Sequence, residues 1–162
     1  MKNSIIKLIA GPYENSDAYE SVLTYVIKKE YIGGTSLAFP LDRDSVVTQF
    51  HYAEENSSHF SSRMIWHFTV SVGDIRNHNK LLLLGAEIAS IFAPNYQVLY
   101  ALDLETGKYH LHFAVNTYSI IPTVEPLSDF HFMGYVSLIS KILRTYFPTH
   151  PVTFVDGNKG GN

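Results

Sequence analysis

The chain predicts an α+β fold in which helices pack on a central antiparallel sheet. Two observations carry this expectation. Segments of period-2 alternation rich in β-branched and aromatic residues are interleaved with segments of helical period. In addition, 46% of the 162 residues are hydrophobic and 14% aromatic, enough for an ordered core in what reads as one domain over 1–155 with a loose tail at 156–162.

The elements follow in order. Residues 4–10 form a short apolar strand ended by Gly11-Pro12. Asn15 or Ser16 caps a helix reaching about residue 29, with Ala18, Val22, Tyr25 and Val26 at helical spacing. Gly33-Gly34 then breaks the chain. A second helix covers about 44–55, and a strand covers 63–72, rich in Ile, Val, Trp and Phe. Residues 79–92 are helical, and Pro94-Asn95 stops them. Thr106-Gly107-Lys108 reads as the turn of a hairpin joining 97–104 to 109–117. A loop over 118–127 leads to Ser128, which caps a helix ending near Tyr146 before Pro148. Residues 152–155 form a last strand.

Composition narrows the chemistry. The chain has no cysteine, so disulfides and thiolate chemistry are excluded, and zinc is less favoured than Mg²⁺ or Mn²⁺. The net charge of −3 runs against a broad nucleic-acid footprint, although twelve Lys and Arg can still cluster on one face. The N-terminus lacks a signal-peptide core, and nothing approaches the roughly 18 apolar residues of a spanning helix. A cytoplasmic location away from membranes is the default expectation.

The most specific stretch is Tyr109-His110-Leu111-His112-Phe113-Ala114-Val115-Asn116. On a strand, side chains at i and i+2 leave one face about 6–7 Å apart. His110, His112 and Asn116 therefore share a face, and Leu111, Phe113 and Val115 share the other. A surface or hydrogen-bonded pair is the ordinary explanation of His-x-His; a divalent metal is the alternative, because neutral imidazole is a common ligand. Asp103 and Glu105 precede the pair across the hairpin and add two carboxylates. His67 shares its strand face with Thr69 and Ser71 and is a third imidazole if that strand neighbours the hairpin. The two-histidine phosphoesterase pattern is excluded, since His67-Phe68-Thr69 has no second His-x-Thr/Ser. Tyr25 alone reads as a half-buried helix tyrosine, and His51, His59, His78 and His150 read as solvated and unpartnered.

Taken together, Tyr25 between apolar neighbours, His67-x-x-x-Ser71, an Ala-Glu helix and His110-x-His112-x-x-x-Asn116 resemble the relaxase or mobilisation nucleases. These are the plasmid-transfer branch of the HUH single-strand DNA endonucleases. The resemblance spans about residues 20–145. It implies an HUH-like fold and a site-specific nickase and strand-transferase in plasmid conjugation or mobile-element mobilisation, forming a 5′-phosphotyrosine. It implies Tyr25 as nucleophile, His110 and His112 as metal ligands, and His67 and Asn116 as supporting residues. Mg²⁺ or Mn²⁺ is the implied cofactor. The implied partners are single-stranded DNA at a transfer origin, with Lys28 and Lys29 on its phosphates, and accessory transfer proteins. The family pattern is His-x-Asp-x-x-x-x-His-x-His. Here Asp103 stands at the first histidine and Glu105 at the aspartate, so these carboxylates would replace or support the third ligand. Relaxases carry further domains, so the match would be to a nuclease domain alone. Three other functions stay open: a replication initiator of the same class, a DNA- or protein-binding module that has lost catalysis, and a small metal-dependent hydrolase unrelated to DNA.

Overall fold

A computed structural model of the protein describes residues 2–11, 13–15, 17–105 and 109–158. The elements are β1 (Ser4–Leu8), α1 (Asp17–Ile27), β2 (Tyr31–Thr35), α2 (Arg43–Asn56), β3 (Ile65–Val72), α3 (His78–Ser90), β4 (Tyr96–Asp103), β5 (His110–Ser119), α4 (Asp129–Tyr146) and β6 (Val152–Asp156). The six strands form one mixed sheet in the order β2-β4-β5-β3-β1-β6. The class is α+β. Among the described residues no helix is long and apolar enough to cross a membrane.

The expected antiparallel sheet holds for every neighbouring pair except β1 and β6, which run parallel. The connection explains the exception. Parallel strands need a crossover connection, and a helix can supply it. After β5, α4 does this, so β6 runs in the direction of β5 and therefore of β1. A second correction concerns Gly33-Gly34, which does not break the chain but lies inside β2. Gly33 pairs with Tyr100 on β4, and a Cβ at Gly33 would collide with the Tyr100 ring, so glycine is the residue that lets the two strands close.

The centre of the sheet is covered on both faces, because β3, β4 and β5 carry buried residues on each. Phe68, Leu111, Phe113 and Val115 pack against α3 and α4 through Leu84, Ile88, Phe132 and Ile139. On the opposite face Ile65, Leu99, Ala101 and Ala114 pack against α1 and α2 through Tyr19, Val22, Leu23, Val46 and Phe50. Capping follows the sequence signals. Ser128 Oγ accepts from the His131 N–H at 3.2 Å, Asp42 caps α2 and Asn77 caps α3. On the α1/α2 face, Lys7 on β1 and Thr153 and Val155 on β6 are exposed, so this half of the sheet faces solvent. The expected Thr106-Gly107-Lys108 turn and the tail from 159 lie outside the described residues.

Candidate active site

β5 lies between β3 and β4, antiparallel to both. Register puts His110 opposite Asp103 on β4 and Ser71 on β3, and His112 opposite Ala101 and Thr69. His67 on β3 pairs with Ala114, so His67, His110, His112 and Asp103 leave the sheet on the face toward α1. Tyr25, the last exposed position of α1 before its end, stands over them. Its ring centroid is 5.3 Å from that of His112 and 5.8 Å from that of His67, and the residue is 46% exposed. Lys29, one turn further, places Nζ 4.2 Å from the Tyr25 ring centroid.

These side chains form one chain of close polar contacts. Lys29 Nζ lies 3.2 Å from Asp103 Oδ2, and His112 Nε2 lies 3.4 Å from the same oxygen. His112 Nδ1 faces His67 Nε2 at 3.3 Å, and His67 Nδ1 faces Tyr13 Oη at 3.3 Å. The backbone N–H of Glu105 donates to Asp103 Oδ1 at 3.1 Å. Burial disfavours the Asp103 carboxylate, but the bond to Lys29 and the charges of Lys29 and His112 outweigh it and hold the pKa below the usual value. Burial likewise opposes the Lys29 ammonium, and the bond to Asp103 outweighs it, so the Lys29 pKa is raised. Burial lowers His112 to about 4 and His67 to about 3, so both rings are neutral at pH 7.

The ionised carboxylate then favours one arrangement of protons. It only accepts, so His112 Nε2 carries the hydrogen and His112 Nδ1 is an acceptor. His67 Nε2 must donate to it, and His67 Nδ1 accepts from the Tyr13 hydroxyl. Neutral imidazoles and a carboxylate are suitable donors for a divalent ion, but their present arrangement does not fit one. Among the described residues no three His, Asp or Glu side chains converge as a metal site. All four ring nitrogens of His67 and His112 face partners, and Lys29 holds Asp103.

The remaining expected residues are placed as follows. Glu105 is exposed beyond the end of β4, and its backbone rather than its carboxylate serves Asp103. Asn116 shares the histidine face but is fully buried beneath α1 and α2. It accepts from Tyr19 Oη at 2.7 Å and from the Tyr118 N–H at 3.1 Å, and donates to Phe50 O at 3.1 Å and Gln97 Oε1 at 2.9 Å. It therefore ties α1 to the sheet and touches no group of the cluster directly. Lys28 is exposed at the end of α1, whereas Lys29 is committed to Asp103. Tyr31, the other tyrosine near the end of α1, packs on His78 at 5.9 Å, against the α3 side.

The other histidines correct the expectation of unpartnered rings, although His59 is exposed as expected. His51 bonds Glu20 and Glu54, His59 bonds Thr123 O, His78 bonds Tyr109 Oη, and His150 is buried against Phe147. Tyr13 was not legible as a site residue. It contacts His67 across 54 positions, and no local pattern marks such a partner.

Beyond His110 the sheet face opens into a cleft of about 410 Å³, lined among others by Ile5, Lys7, Thr69, Ser71 and Arg76. His110 is the member of the cluster that lines this cleft. No family model matches the chain, and no curated protein or solved structure matches it.

Proposed function

We propose that this protein is a relaxase-like HUH endonuclease that nicks single-stranded DNA and transfers the strand through Tyr25 in plasmid or mobile-element mobilisation. The observation that carries this reading is the position of Tyr25. A helix far from β5 in sequence sets that phenol, half-exposed, against both His112 and His67. In the reaction the Tyr25 oxygen would attack the phosphorus and lose its proton. The P–O bond to the 3′-oxygen would break, that oxygen would take up a proton, and the 5′-phosphate would stay on the tyrosine. Lys7 and Arg76, which line the cleft, and Lys28 at the end of α1 would meet neighbouring phosphates. A bound Mg²⁺ or Mn²⁺ would polarise the phosphate and is part of the same proposal. So are a transfer origin as target, accessory transfer proteins as partners and a cytoplasmic location.

A second reading, a binding module without catalysis, is favoured by one observation: the cluster is closed on itself, with Lys29 on Asp103. A replication initiator would use the same chemistry as the first. The test is incubation with Mn²⁺ and a labelled pool of single-stranded oligonucleotides, followed by a denaturing gel. A covalent adduct that disappears in Tyr25→Phe supports the nuclease. Retention by the pool without any adduct moves the assignment to the binding module, and neither adduct nor retention sinks both.

A further inference from the structure

Strand transfer by a phenol needs positive charge where the phenol loses its proton and where the phosphate gathers charge. A divalent ion is one source, but the donors beside Tyr25 do not make a site for it. The ring nitrogens of His67 and His112 face each other, Asp103 and Tyr13, and among the described residues no three His, Asp or Glu side chains converge. A lysine ammonium stands at this place. Lys29 Nζ lies 4.2 Å from the centroid of the Tyr25 ring and 3.2 Å from Asp103 Oδ2.

We propose that the Lys29 ammonium supplies the cation of this site, and that strand transfer by Tyr25 needs no metal. This rests on the nuclease reading above and takes the metal ion out of it. Three features support it. An ammonium has three N–H donors; Asp103 Oδ2 takes one, which leaves donors for the phenol oxygen and a phosphate oxygen. The Lys29 and Asp103 side chains are only 14% and 5% exposed, so the charge is screened less than that of a surface lysine. The Lys29 N–H donates to Val26 O at 3.2 Å, which fastens it to the end of α1, the helix that carries Tyr25, so nucleophile and cation are held by one element. In the step itself the bond from the Tyr25 oxygen to phosphorus forms and the bond from phosphorus to the 3′-oxygen breaks, its electron pair leaving with that oxygen. The phenol proton goes to solvent and the 3′-oxygen takes one from solvent. Lys29 stays protonated throughout, and no co-reactant is consumed.

The experiment follows the covalent adduct with the labelled oligonucleotide pool on denaturing gels, once with Mn²⁺ and once in excess EDTA after chelator dialysis. Wild type should form the adduct at the same rate in both. In EDTA, Lys29→Met should slow it on the order of 10²-fold or more, whereas Lys29→Arg, which keeps the charge, should come within about tenfold of wild type. Lys29→Met leaves the buried Asp103 carboxylate without its partner, so Lys29→Met/Asp103→Asn is run beside it and should be equally slow; circular dichroism checks each fold. Filter retention of the pool separates chemistry from binding. Tyr25→Phe and Tyr25→Phe/Lys29→Met should retain it to nearly the same extent, because Lys29 acts mainly on charge that develops during the reaction. Adduct that forms with Mn²⁺ and is abolished by EDTA would overturn the inference and keep the nuclease. So would an adduct rate in EDTA that is unchanged in Lys29→Met and in the double variant, or a loss of retention as large as the loss of rate. No adduct in either condition would overturn the nuclease reading and this inference with it.

Discussion

Asn116 is the point where the helix carrying Tyr25 is fastened, and its removal gives the sharpest energetic prediction. Asn116→Ala withdraws both ends of a buried amide at once. The Phe50 carbonyl lies inside α2 and keeps its helical bond, whereas Gln97 Oε1 loses its donor, since Gln49 O, which Gln97 Nε2 reaches at 3.3 Å, can only accept. The Tyr19 hydroxyl and the Tyr118 N–H lose their acceptor, and both residues are buried. Each stranded donor costs about 1–3 kcal/mol, and with the small cavity we expect Asn116→Ala to lose about 3–5 kcal/mol. Tyr19→Phe removes only one partner of an oxygen that still accepts from Tyr118, and should cost about 1 kcal/mol. The pair is not additive. In the Asn116→Ala background, Tyr19→Phe deletes a hydroxyl that is already unpaired, so it should be neutral or stabilising, a coupling of about 1–2 kcal/mol. Urea unfolding of the four proteins at one pH measures this cycle. An Asn116→Ala cost below about 1 kcal/mol, or a Tyr19→Phe cost that is the same in both backgrounds, would refute the anchoring role.

Three further outcomes follow from the same contacts. His67 and His112 stay neutral down to about 3 and about 4, whereas the unfolded chain takes up their protons near 6.5, so the unfolded state holds more protons in that window. Stability should therefore fall as pH drops from about 6.5 toward 4, and the two imidazole C2–H signals should not move between pH 5 and 8; titration of either near 6.5 would contradict this. His51 has the opposite sign. Burial opposes its charge, but bonds to Glu20 and Glu54 outweigh this and raise its pKa above 6.5. Its contribution is complete below 6.5 and is lost as pH rises through the folded value, so the stability of wild type should decline on the alkaline side of 6.5 more than that of His51→Gln. Parallel profiles would remove the His51 bridge between α1 and α2. Gly33→Ala should press on the Tyr100 ring, cost about 1–3 kcal/mol and speed amide exchange in β2; unchanged exchange would mean that Tyr100 yields freely.

What could be read in the chain was whatever depends on near neighbours. Strand parity put His110, His112 and Asn116 on one face, because alternation is a property of the extended backbone itself. The start of α4 was legible because Ser128 satisfies the orphan N–H of a residue three positions on. The turn chemistry of Gly33-Gly34 misled, since the reason for glycine there is Tyr100, 67 positions away in β4. The parallel seating of β6 on β1 was likewise hidden, because it follows from how α4 crosses the sheet rather than from residues 152–156.

The site divides along the same line. Sequence alone singled out the residue types with the right chemistry: two imidazoles in alternation, carboxylates ahead of them, and a tyrosine on the first helix. Only the tertiary structure decided which of them meet. It brought His67 and Tyr13 to His112, sent Asn116 beneath the helices, left Glu105 outside, and turned Lys29 from an exposed phosphate contact into the partner of Asp103. The physical reason is that alternation along one strand specifies a face, whereas distances between side chains from different elements are set by sheet register and by where the Asn116 anchor seats α1.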